Sequence, residues 1–284
     1  MNKKTISPKT VGVIISTYNN TAWLEKVLWG YECQKFKDFE IVIADDGSTE
    51  ETLHLIKTFQ QKSRLNIKYV WQEDNGFRKN SILNAAILAA DSEYLIFTDQ
   101  DCIPRCDFIE THLSYAEKGY FLSAGYYKLP LSISLALTRT DIENQSAFNL
   151  KWLKKKGLVY NFKSTKLLKN RHYSRFMNFV TPAKATWNGC NSSGWKADFL
   201  AINGYNEKME YGGGDREFGE RLFNYGIKSK QIRYLAICVH LDHKRPYKTT
   251  ETMLRNKIIR KQIRKNRQIE TPDGIRKPKD NQLI

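Results

Sequence analysis

Tyr94-Leu95-Ile96-Phe97-Thr98-Asp99-Gln100-Asp101 is a short apolar run that ends in two carboxylates one residue apart. Three comparable runs precede it: Val11-Gly-Val-Ile-Ile15, Glu40-Ile-Val-Ile-Ala44 and Ile67-Lys-Tyr-Val-Trp71. Each is bounded by polar turn chemistry, and continuous apolar runs of this length suit strands buried on both faces. The intervening segments that begin at Trp23, Thr52 and Ser81 carry helical apolar spacing. This alternation predicts an open, doubly wound α/β sheet, mostly parallel and flanked by helices, with right-handed crossovers. Ligands of such sheets gather at the carboxyl ends of the strands. The loops Ser16-Thr17-Tyr18-Asn19-Asn20, Asp45-Asp46-Gly47-Ser48 and Thr98-Asp99-Gln100-Asp101 are therefore expected to share one rim. Singly, each is an ordinary turn or helix cap. Together, their carboxylates and aromatic ring make a site for a polar ligand and a divalent cation.

The chain has 284 residues, 41% of them hydrophobic, enough for one sizeable core or two lobes sharing one. Its formal net charge is +16, which ordinarily points to an anionic partner. The charge is uneven, however. Residues 144–197 contain eleven Lys/Arg and no acid, residues 252–269 contain seven and no acid, and the remainder is close to neutral. No apolar run approaches the roughly 18 residues needed to cross a bilayer, and Met1-Asn-Lys-Lys does not open a secretory leader. Five scattered cysteines suit a reducing cytosol better than a disulfide framework; Cys102 and Cys106 resemble half a zinc site, but no second close pair completes it. The expected organisation is a nucleotide-binding half (1–105), an acceptor-binding and catalytic half (106–245) with a helical basic insert at 144–178, and a basic tail (246–284).

Ser16-Thr-Tyr-Asn19, Ala44-Asp-Asp-Gly-Ser48, Asn75-Gly-Phe-Arg-Lys79 and the Asp99-Gln100-Asp101 motif, in this order, resemble GT-A glycosyltransferases of the large inverting family 2. Trp187-Asn-Gly-Cys-Asn-Ser-Ser193 and Gly212-Gly-Gly-Asp-Arg-Glu-Phe-Gly-Glu-Arg-Leu222 resemble the C-terminal region of β-1,4-galactosyltransferases and bacterial chondroitin-type polymerases. The resemblance implies a nucleotide-sugar donor, most often a UDP-sugar. Ser16, Tyr18, Asn19 and Asp46 then meet the nucleoside: Tyr18 can stack a base, and the Asp46 carboxylate can accept the N–H of a uracil edge. Arg78 and Lys79 can neutralise a diphosphate, and the family pattern favours Arg78. Asp101 is implied as the direct ligand of Mn2+ or Mg2+, with Asp99 on the ribose or a metal-bound water. Hard oxygen donors facing a diphosphate suit either ion. The resemblance also brings a late histidine to the metal. His240, which ends the apolar run 235–239, is preferred to His243.

Asp215 is implied as the base that deprotonates the acceptor hydroxyl. By its pattern it also caps a helix ending at Gly226, where the helix N-terminus would lower its pKa. The three glycines before it are expected to let substrate approach closely. Trp187, Asn191, Glu217 and His243 are expected to contact the acceptor, although the spacing of Glu217 and Arg221 equally allows an i, i+4 ion pair on the helix. Galactosyltransferases carry Gly-Gly-Glu-Asp where this chain has Gly214 before Asp215, so galactose specificity does not carry over. The expected reaction is direct displacement with inversion, onto a glycan or lipid-linked acceptor of bacterial polysaccharide or lipopolysaccharide synthesis, in the cytoplasm. The two basic stretches would face an anionic acceptor or an anionic membrane, the tail as an amphipathic helix with Leu254, Ile258, Ile259 and Ile263 on one side or as an element docked on the catalytic body. The competing reading is a nucleic-acid-binding protein, motivated by Trp152, Tyr160, Phe162, Tyr173 and Phe176 among the cations. No helix-turn-helix, zinc-finger or RNA-recognition signature supports it, and no nucleic-acid partner is expected. A third possibility is a domain that binds a nucleotide-sugar without catalysis, which the intact Asp-Gln-Asp and Asp215 oppose.

Overall fold

A computed structural model describes residues 8–243 and 249–277; the basic N-terminus Met1-Asn-Lys-Lys and the end of the tail lie outside them. The four apolar runs form strands β1 (Val11–Thr17), β2 (Glu40–Asp45), β3 (Asn66–Trp71) and β4 (Tyr94–Asp99). Helices Thr21–Glu32, Glu50–Lys62 and Lys79–Ala89 connect them. Further strands are β5 (Cys102–Pro104), β6 (Tyr120–Ser123), β7 (Gly125–Lys128), β8 (Asn191–Trp195), β9 (Lys228–Gln231) and β10 (Ile237–His240).

Seven strands make one sheet in the order β3-β2-β1-β4-β8-β6-β9, with β1 to β4 mutually parallel and β8 antiparallel to both neighbours. The sheet runs without a break across residue 105. Every residue of β1 and β2 is buried, which explains why these runs do not alternate polar and apolar positions. A second, three-stranded sheet, β5-β10-β7, lies beyond the carboxyl end of β4. Its antiparallel β5–β10 pair aligns His240 with Cys102, carrying a residue from late in the chain to the metal loop.

The acid-free insert folds into two short 3₁₀ turns and the helices Leu150–Lys155 and Arg171–Val180. Phe148, Leu153, Leu158 and Leu167 tie it to the main core. The C-terminal helix Thr250–Asn266 docks on the catalytic body. Asn256 Nδ2 donates to the carbonyls of Glu210, Tyr211 and Gly212, Arg260 pairs with Glu220, and Ile263 is buried. The apolar face expected of this helix is therefore split: 256, 260 and 263 fall on one helical side, whereas Leu254 and Ile258 remain exposed.

A buried polar network joins the halves of the large sheet. His112 Nε2 lies 3.0 Å from Asn191 Oδ1 and its Nδ1 lies 2.8 Å from Ser193 Oγ. Asn191 Nδ2 in turn donates to the carbonyls of Gly125 and Ala236. Burial depresses the His112 pKa to about 4. An unfolded chain takes this proton near the ordinary histidine value, the folded chain only near pH 4, so stability falls as pH drops through that window. The contribution amounts to about 2 kcal/mol between pH 7 and pH 5. Urea unfolding of wild type and His112→Gln should show that the variant lacks this part of the acid loss; identical pH slopes would refute the assignment.

Candidate active site

The parallel register brings the expected loops together, setting Ser16 beside Asp99 and Thr17 beside Asp45. Asp45 turns away from the rim, accepting from Ser48 N at 2.8 Å and from the Tyr69 hydroxyl at 2.8 Å. Asp46 faces the next loop and accepts from Gln72 Nε2 at 2.5 Å and from the Arg78 backbone N–H at 3.0 Å, while burial raises its pKa. Half-exposed Tyr18 donates to Asp74 Oδ2 at 2.9 Å, which adds a carboxylate to the nucleoside side that the sequence pattern did not flag. Asn19 serves the scaffold: its N–H donates to Ser48 Oγ and its side-chain oxygen accepts from Thr49 N. Gln100, the middle residue of the metal motif, clasps the same loop through Thr17 Oγ1 and both backbone groups of Tyr18.

Lys79, rather than Arg78, is the cation of the rim. The Arg78 guanidinium bonds the Glu73 carbonyl. Lys79 Nζ lies 2.6 Å from Asp99 Oδ1, which also accepts from Ser16 Oγ at 2.7 Å. Burial opposes the Lys79 charge, but Asp99, then Asp215 and Asp101, outweigh it and raise the pKa. Burial likewise opposes the Asp99 charge, and Lys79 reverses the balance, holding that carboxyl below its ordinary value. One ammonium thus keeps several converging carboxylates compatible. The pattern Arg78-Lys79 flagged both cations; only the start of the helix at Lys79 decides which one points over β4.

Both late histidines reach the metal motif. His243 Nε2 lies 2.9 Å and His240 Nε2 3.3 Å from the same oxygen, Asp101 Oδ2, with the two rings nearly parallel. His243 therefore sits with the metal motif rather than on the acceptor. His240 Nδ1 is 2.8 Å from the Leu241 carbonyl, which can only accept, so Nδ1 carries a proton and Nε2 is the ring atom that faces the carboxylate. Asp101 Oδ2 with the two imidazole nitrogens around it is a donor set able to take a divalent cation. A carboxylate with two imidazoles suits Mn2+ well and Mg2+ less well. Cys102, whose thiol contacts Asp101 Oδ1 at 3.3 Å, completes a buried group with Asp101 and His240 that the sequence reading did not foresee.

Asp215 differs from the expectation in two respects. The helix is Gly214–Asn224, capped by Gly213 in the left-handed region, so Asp215 lies in its first turn rather than at the cap. Its pKa is raised, not lowered: burial outweighs the pull of Lys79 and of the Gly189 backbone N–H, and nearby Asp99 adds to the rise. A Cβ on Gly189 would fall 2.5 Å from Asp215 Oδ1, so Gly189 is what permits this seat. The glycines at the helix start are packed closely against neighbouring side chains. A Cβ at Gly212 would meet Met253 of the C-terminal helix, and one at Gly214 would meet the Asn80 side chain.

Three of the expected acceptor contacts are buried. Trp187 is fully enclosed and donates through Nε1 to the Tyr205 hydroxyl. Asn191 belongs to the His112 network. Glu217 lies in the core with both oxygens held by Arg221, at 2.7 and 2.9 Å. Polar and aromatic residues near a catalytic motif look alike in sequence whether they face a ligand or a satisfied interior partner.

Comparison with known proteins accords with this geometry. Residues 171–244 match the family described as the N-terminal domain of galactosyltransferase. The chondroitin synthase of Pasteurella multocida is 26% identical over 77% of this chain, and that of Escherichia coli 26% over 78%. Validoxylamine A glucosyltransferase of Streptomyces hygroscopicus subsp. jinggangensis is 35% identical over 37% of the chain. The matches cover 23%, 33% and 25% of those proteins, so the chain spans at most about a third of their lengths. Among solved structures, fold likeness extends to GalNAc-T7 with UDP, GalNAc and Mn2+ (TM-score 0.62, 12% identity, 92% of this chain and 48% of that one). A mannosyltransferase of Pyrobaculum calidifontis with GDP-Man and Mn2+ gives 0.56 at 18% identity, over 87% of this chain and 62% of that one. These likenesses establish a GT-A fold. Residues 12–170, more than half of the sequence and the whole of the rim, match Glycosyl transferase family 2, and the chain belongs to that family.

Proposed function

We propose that the protein transfers a sugar from a nucleotide-sugar, a UDP-sugar in the first instance, to a hydroxyl of a glycan or lipid-linked acceptor in bacterial surface-polysaccharide synthesis. The reaction takes place in the cytoplasm at the inner face of the membrane. The observation that carries this reading is the convergence of Asp101, His240 and His243 beside the Lys79-linked pair Asp99 and Asp215. Tyr18, Ser16 and Asp46 hold the nucleoside, and Asp101 with both histidines holds Mn2+ or Mg2+ against the diphosphate. When bound, the ion supplies Lewis-acid stabilisation of the leaving nucleotide. Asp215 accepts the proton of the acceptor hydroxyl as that oxygen bonds to the anomeric carbon. The bond from that carbon to the diphosphate oxygen breaks on the opposite face, and configuration inverts. Nucleotide-bound and Mn2+-bound structural neighbours support the donor and metal assignments.

The acceptor side is cationic. Lys166 Nζ lies 3.2 Å from the Tyr126 carbonyl, the Tyr126 ring rests 5.3 Å from the His240 ring, and Arg233 packs on Gly125. Burial lowers the pKa values of Lys166 and Arg233, with Arg233 adding to the fall at Lys166 and Arg216 to that at Arg233. These cations favour an acceptor bearing a carboxylate or phosphate. Asp101→Ala should weaken Mn2+-dependent UDP binding by roughly 10–100-fold, read by titration calorimetry with and without Mn2+. Equal binding by the variant would remove the metal assignment, and salt-dependent RNA binding without UDP binding would replace the transferase reading.

A further inference from the structure

The three most exposed large apolar side chains among the described residues, Phe179, Val159 and Phe162, all lie in the acid-free stretch 144–197. The helix Arg171–Val180 shows how they are presented. Its inner side buries Ser174 and Met177. Asn178 accepts from Tyr234 N at 3.0 Å through its side chain and from Gln231 Nε2 at 3.2 Å through its carbonyl, and Tyr173 meets Tyr234 edge to face. The orientation of the helix is thereby set. His172, Arg175, Phe176 and Phe179, at i, i+3, i+4 and i+7, all fall on its outer side and are exposed, Phe176 at 60% and Phe179 at 89%.

We infer that this outer face lies on an anionic lipid surface, with Phe176 and Phe179 inserted at the boundary of headgroups and acyl chains and Arg171 and Arg175 among the headgroups. An amphipathic helix with phenyl groups flanked by arginines suits that boundary, where apolar burial and attraction to anionic lipid act together. Charge complementarity is one-sided: from Asn144 to Ala197 no acid offsets the eleven cations. The outer side of a single helix offers no concavity to enclose a glycan, whereas a bilayer needs none. The C-terminal helix, the other basic element, has its inner side committed to Glu210, Tyr211, Gly212 and Glu220, leaving Leu254 and Ile258 as a smaller apolar pair without phenyl groups. Because Tyr234 adjoins Arg233, the bilayer would lie next to the acceptor side. That consequence rests on the function proposed above, but the lipid contact itself does not.

The full-length protein should sediment with phosphatidylcholine vesicles containing phosphatidylglycerol and not with phosphatidylcholine alone. Phe176→Ser/Phe179→Ser should lower the apparent affinity at least about tenfold, since each phenyl group removed from the bilayer forfeits a large apolar burial. Both side chains are exposed, so the variant should unfold at the wild-type temperature and retain UDP binding. Leu254→Ser/Ile258→Ser should bind vesicles as wild type does. The inference is overturned if wild type ignores the anionic vesicles, if the phenylalanine variant binds them equally well, or if the C-terminal variant alone loses binding. It is also overturned if the phenylalanine variant converts a dimer to a monomer, which would show that a second copy covers the face. Failure of UDP binding in wild type would count against the transferase reading and leave this result unaffected.

Discussion

Asp215→Asn is expected to reduce kcat by roughly 10²–10⁴-fold, the contribution of a positioned general base, while UDP affinity stays within about threefold. The substitution keeps the shape of the side chain beside Gly189 but removes the carboxylate proposed to take the acceptor proton. The pH profile supplies a second readout. Asp215 must be ionised to act, and burial raises its pKa, so wild-type activity should fall with acid at a higher pH than an ordinary carboxylate would dictate. A raised pKa also makes the ionised form a better proton acceptor than a capped helix-end aspartate. The residual activity of the Asn variant should lack that acid limb. Unchanged transfer by the purified variant, with the limb intact, would assign the base to another residue.

Glu217→Ala should destabilise the fold by about 3–5 kcal/mol, because it strands the buried Arg221 guanidinium without its counter-charge. Arg221 also donates to the carbonyls of Ile202 and Gly204, both at 2.6 Å, so the ion pair anchors the turn after the helix Lys196–Ala201 to the helix Gly214–Asn224. Urea unfolding and steady-state kinetics distinguish this role from acceptor binding. A structural role lowers the unfolding midpoint and leaves the KM of the folded fraction near wild type. A raised KM with unchanged stability would return Glu217 to the acceptor site.

The contrast between Asp215 and Glu217, two residues apart on one helix, shows what was legible in the sequence. The apolar runs at 11–15, 40–44 and 94–97 fall within parallel strands because a strand buried on both faces has few other ways to be written, while 67–71 forms the partly exposed edge strand β3. The carboxylates that follow them fell on one rim for the same reason, since parallel strands bring like ends together. Distant partners were not legible in that way. His240 reaches Asp101 only because β10 pairs with β5, and Lys79 rather than Arg78 meets Asp99 only because the helix starts where it does. That Trp187 and Asn191 turn inward was not legible, because local pattern does not record whether a polar group is answered by substrate or by Tyr205 or His112, whereas the i, i+4 spacing of Glu217 and Arg221 already allowed the pair that forms.

The sequence by itself determined the four parallel strands, the order of motifs and the rim their ends share, since periodicity and strand-end chemistry are local properties of the chain. The tertiary structure decided the rest: the seat of Asp215 and the direction of its pKa shift, the pairing of two histidines on one carboxylate, and the exposure of Phe176 and Phe179 on the insert helix. Each of these depends on burial and on contacts between residues far apart in sequence, and neither is written in the spacing of residues along the chain.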